Sequence, residues 1–129
     1  MKKIRRSAET TAKLIAINGA LYGEERQRQV TRYRLSFATL RALSGRTALR
    51  ESFLSDLEYE LMELNWLFVR LGAEYGVVSL EKADTWVKLS SKRLKEDLEC
   101  NFLTAPDDAI EKRYEAHYAP PEDEDNLDD

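Results

Sequence analysis

One cysteine, one histidine, five glycines and three prolines in 129 residues leave this chain short of most side chains that advertise chemistry. Cys100 stands alone, so no disulfide can close within the chain and nothing points to an oxidising compartment. His117 has no second histidine and no cysteine nearby in the sequence, which argues against a zinc site and against a Cys–His nucleophile pair. No glycine-rich loop of the phosphate-cradling kind occurs. Asp56, Glu60 and Glu63 invite a carboxylate metal centre, but the Glu-x-x-His spacing that such centres use in helical bundles is missing. The chain is therefore read as non-enzymatic, with no catalytic residue, cofactor or metal.

Long apolar runs are also scarce. After the basic start Met1 to Arg6, the uninterrupted run Leu14 to Ile17 is too short for export, which needs about 7–15 apolar residues, or for a membrane span of about 20. A cytoplasmic protein without membrane contact is expected. Few glycines and prolines leave few chain reversals, which favours long helices over many short strands.

Five helices follow from that reading. Ser7 caps a first that runs to about Tyr22, with Gly23 as its stop and Gly19 inside it. A glycine there costs about 1 kcal/mol relative to alanine unless another backbone must approach. A second spans residues 24–44, with Val30, Tyr33, Phe37 and Leu40 on one face. The third, at about 48–75, carries Leu54, Leu57, Leu61, Leu64, Phe68, Leu71 and Tyr75 at steps of three and four. Its second series, Tyr59, Met62, Trp66, Val69 and Ala73, lies roughly 160° away around the axis. A helix that is apolar on two sides must be enclosed by neighbours. A fourth helix, 79–103, buries Leu80, Ala83, Val87, Leu94 and Leu98, and Pro106 opens a short fifth carrying Ile110, Tyr114 and Tyr118. The expected fold is an all-α, coiled-coil-like bundle of four long helices plus a short C-terminal one. It forms a single domain over residues 1–119, with an acidic disordered tail at 120–129.

Charge is what the chain has in excess, and it is divided. Residues 1–50 hold twelve Lys or Arg against three acids, whereas residues 51–129 hold eight against twenty-one. Arg26, Arg28, Arg32, Arg34, Arg41, Arg46 and Arg50 cluster in or just after the second helix. Antiparallel packing would set them beside Glu51, Asp56, Glu58, Glu60 and Glu63, pairs that contribute only about 0–1 kcal/mol each at a surface.

Two functions fit. The first is a regulatory interaction protein that binds a second copy of itself or another protein through Tyr59, Met62, Trp66 and Val69. If neighbouring helices cover only the first seam, those residues form an exposed apolar patch, and such patches mark association surfaces. The alternative is a nucleic-acid-binding regulator that uses Arg28, Arg32, Arg34, Arg41, Lys88 and Lys92 on phosphates, with the acidic tail as a competing brake. A helix-turn-helix around residues 71–79 is a weaker form of that alternative, because the turn is one residue too long and the preceding helix too extended.

Overall fold

The computed structural model describes residues 2–121. They fall into two compact units, which divide between Trp86 and Val87. The first runs α1 (Ala8–Arg26), β1 (Arg32–Ser36), α2 (Phe37–Ser44), α3 (Glu51–Glu63), β2 (Trp66–Arg70) and β3 (Glu74–Ser79), then a single 3-10 turn at Ala83–Thr85. The second holds α4 (Lys92–Leu98) and α5 (Asp107–His117). The all-α bundle is thereby overturned: three antiparallel strands, in the order β1-β3-β2, replace long stretches expected to be helical.

The central 48–75 helix is the largest correction. It ends at Glu63, because Asn65 adopts the left-handed conformation at φ 71° while its N–H donates to the Met62 carbonyl at 2.9 Å. Asparagine tolerates that conformation and closes helices this way. Beyond it, Trp66-Leu67-Phe68-Val69 is aromatic and β-branched, a composition that packs well on a pleated surface. Gly72 and Ala73 turn the chain, Gly72 at φ 76°, and the Leu71 N–H donates to the Glu74 carbonyl at 2.8 Å to close a two-residue hairpin. The coiled-coil-like seam therefore divides between one helix and both arms of this hairpin.

The expected 24–44 helix is also two elements and a strand. α1 runs through Gly23 to Arg26 and stops at Gln27, which takes φ 53° and donates its N–H to the Glu24 carbonyl at 3.2 Å. α2 begins afresh at Phe37, where the Ser36 hydroxyl accepts the Thr39 N–H at 3.1 Å. Of the expected 79–103 helix only α4 and the short 3-10 turn form. Two local signals hold: Ser7 caps α1 by accepting the Thr10 N–H at 3.2 Å, and α5 starts directly after Pro106. The acidic tail at 122–129 lies outside the described residues.

Strand alternation then defines the core. Tyr33 and Leu35 of β1, Phe68 of β2, and Tyr75 and Val77 of β3 face the helices, in the register Tyr33–Val77–Phe68 and Leu35–Tyr75. Against them pack Ala12 and Ile15 of α1, Leu40 of α2, and Phe53, Leu54, Leu57 and Leu61 of α3. The opposite sheet face carries Arg32 and Arg34, with half-buried Leu67, Val69 and Val78. Gly19 is buried so that the Tyr33 ring can lie on α1: a methyl group there would sit 2.8 Å from the ring. The Tyr33 hydroxyl donates to the Ile15 carbonyl at 2.9 Å, and burial pushes its pKa up to about 12.

Candidate functional site

The four residues expected to share one interface are dispersed. Tyr59 and Met62 lie on the outer face of α3, 63% and 46% exposed. Trp66 turns inward on β2 and meets the Tyr33 ring edge-on, at 6.0 Å between centroids. Val69 lies on the opposite face of the sheet, beside Gly76. The apolar patch therefore shrinks to Tyr59 and Met62.

Around those two, α3 is uniformly acidic. Helical spacing sets Ser52, Ser55, Asp56 and Glu63 on the same outward arc, all of them exposed, with Glu51 and Glu58 along one border. Half-buried Glu60 lies on the other border. Only Glu51 is paired among the described residues, and its partner is Arg70 of β2, at 2.6 and 2.7 Å. Those two bonds lower the Glu51 pKa. The expected pairing of second-helix arginines with the acids at 51–63 is not formed among the described residues. The reason is topological: the segment carrying those arginines is a loop, a strand and a short helix, and it faces elsewhere.

Of the six cations proposed for phosphate contact, three come together. Arg28, in the loop after α1, lines with Arg32 and Arg34 of β1 a cleft of about 540 Å³ between α1 and β1. Arg41 lies exposed in the last turn of α2, and Lys88 and Lys92 belong to the second unit. Arg34, largely exposed, bonds half-buried Glu74 of β3 at 3.2 Å. Arg46 does something different. It stacks on the Phe53 ring at 3.9 Å and donates through Nη2 to the Arg6 carbonyl at 2.8 Å, while the Arg6 N–H donates to the Ser44 carbonyl at 2.8 Å. These contacts tie the basic N-terminal segment to the connection between α2 and α3.

In the second unit, Asp97 of α4 accepts hydrogen bonds from Arg113 Nη2 and His117 Nε2 of α5, each at 2.8 Å. The Arg113 contact, followed by that of His117, holds the Asp97 carboxyl down at about 2. The His117 side chain stays largely exposed, and its partner lies twenty residues away in the sequence. Leu94, Leu98, Phe102, Ile110, Tyr114 and Tyr118 line a shallow cleft beside this cluster. No three His, Cys, Asp or Glu residues converge to hold a metal among the described residues. No helix among them is long and apolar enough to cross a membrane.

Comparison with known proteins finds no matching family model, no matching curated protein and no matching solved structure.

Proposed function

We propose that the protein is a non-enzymatic cytoplasmic interaction module that binds a basic partner protein through the outer face of α3. The observation that supports this reading most directly is Tyr59, 63% exposed, on a helix face that holds acids and no base. An exposed aromatic flanked by Asp56, Glu58 and Glu63, which form no ion pair among the described residues, provides apolar contact area at its centre and charge selection at its rim. α2 and α3 are consecutive helices joined across residues 45–50, and the β2–β3 hairpin follows them. In a DNA-reading helix-turn-helix the second helix enters the major groove. Here that helix carries Asp56, Glu58, Glu60 and Glu63, which phosphates repel.

The test uses the whole chain and two fluorescent probes, a lysine- and leucine-rich helical peptide and a 20-base-pair duplex. The peptide is expected to bind at low salt, and Asp56→Lys combined with Glu63→Lys is expected to weaken it at least tenfold. Tyr59→Ala should weaken it further by a term that salt does not screen. Peptide binding unchanged by the charge reversal would overturn the reading. Duplex binding that the same reversal leaves untouched would return attention to the arginines of β1.

A further inference from the structure

β1 is an edge strand, and its outer edge is open. The Ser79 N–H donates to the Thr31 carbonyl at 2.7 Å, which identifies Thr31 and Ser79 as a hydrogen-bonded pair. Opposed residues alternate along an antiparallel ladder between bonded and unbonded pairs. Tyr33 and Leu35 therefore turn their main-chain groups toward β3, and Arg32 and Arg34 turn theirs away. Neither strand nor loop answers those outward groups among the described residues. The cleft between α1 and β1 runs along this edge. Leu21 and Tyr22 of α1, 51% and 39% exposed, form its other wall, and Arg28 and Glu25 also line it.

We propose that this edge accepts an extended acidic segment of a partner protein as a fourth strand. Main-chain bonding to Arg32 and Arg34 would supply affinity, as in other strand-addition complexes. Side-chain alternation supplies specificity. Residues of the added strand opposite Arg32 and Arg34 share the outer sheet face with two guanidinium groups, so acids belong there. The intervening residues point toward Leu21 and Tyr22, so apolar ones belong there. The fitting ligand alternates acidic and apolar residues in an extended conformation. Cations on an exposed edge also deter its pairing with a second copy of the same edge, which leaves it free for a strand of opposite charge. A nucleic acid strand would satisfy the arginines but has no peptide groups for the edge.

The experiment uses the full chain and a fluorescent ten-residue peptide of alternating Asp and Val, read by anisotropy at low salt. A second peptide has the same side chains but N-methyl groups on its backbone amides. The methylated peptide is expected to bind at least tenfold more weakly, and Arg32→Ala with Arg34→Ala should weaken the parent peptide by a similar factor. Amide hydrogen exchange at Arg32 and Arg34 should slow at least tenfold when the parent peptide saturates the protein. Absence of binding, equal binding of the two peptides, or unchanged exchange at these amides would each overturn strand addition. Single-stranded dT displacing the peptide, with exchange unprotected, would overturn it in favour of phosphate binding.

Discussion

Tyr33 shows how much one side chain can decide in this fold. Its ring occupies the space that Gly19 leaves on α1, and its hydroxyl bonds the Ile15 carbonyl. A folded-state pKa raised to about 12 means that the unfolded chain loses this proton first, near the ordinary value of 10. Its contribution to stability is thus complete below pH 10 and is lost as pH rises toward 12. Urea unfolding across that window should show the decline. Tyr33→Phe should reduce the decline, leaving a residue from Tyr75, whose pKa burial also raises, while costing about 0.5–1.5 kcal/mol at neutral pH for the lost hydrogen bond. Gly19→Ala forces the ring to move and should cost about 1–3 kcal/mol in the same assay. From sequence Gly19 was a cost unless another backbone approached it; what approaches is the Tyr33 side chain. Asp97 obeys the opposite sign. Its folded pKa is depressed to about 2, so its contribution is present above pH 4 and is lost as pH falls through 2. Helical signal from α4 and α5 should fade over that range, and in Asp97→Asn should already be reduced at pH 7, as read by NMR of the Tyr114 and Tyr118 rings.

Among the elements, α3 and the β2–β3 hairpin explain why sequence periodicity misled. Leu64, Phe68, Leu71 and Tyr75 do recur at three and four, but Trp66/Phe68 and Tyr75/Val77 also alternate at two. Strands of five and six residues offer too few repeats to compete with a rhythm that extends through a real helix before them. Asn65 breaks the tie, because its left-handed backbone is where the helical rhythm stops. Asn65→Gly should fold with little change in stability. Asn65→Val should cost about 1–2 kcal/mol, the penalty for a branched side chain in that conformation, measured by urea unfolding. Tyr33 and Phe37 were expected side by side on one helix. They lie instead on a strand and on the helix after it, separated by the Ser36 cap. The candidate site was half legible: Tyr59 and Met62 could be found from their spacing, whereas the open edge of β1 could not. An edge exists only once a partner strand, 46 residues later in the pairing of Arg32 with Val78, has been placed.

For the whole molecule, the charge division read from sequence does not follow the structural one. The unit ending at Trp86 holds fourteen basic and eleven acidic residues, so its polarity is between surfaces, α3 against β1, rather than between halves of the chain. Every buried residue among those described lies at or before Val77. A chain ended at Trp86 should therefore keep a cooperative thermal transition within a few degrees of that of the whole protein. A chain begun at Val87 should show none, since helices as short as α4 and α5 are marginal without a core. Differential scanning calorimetry of both distinguishes these outcomes. The strand order has a further consequence for how the protein is made. β3 is central in the sheet yet last of the three to leave the ribosome, so β1 and β2 are both synthesised before the strand that joins them. Until residue 79 emerges, β1 has no ladder on either side, so the sheet can close only after the helices that precede it have been made.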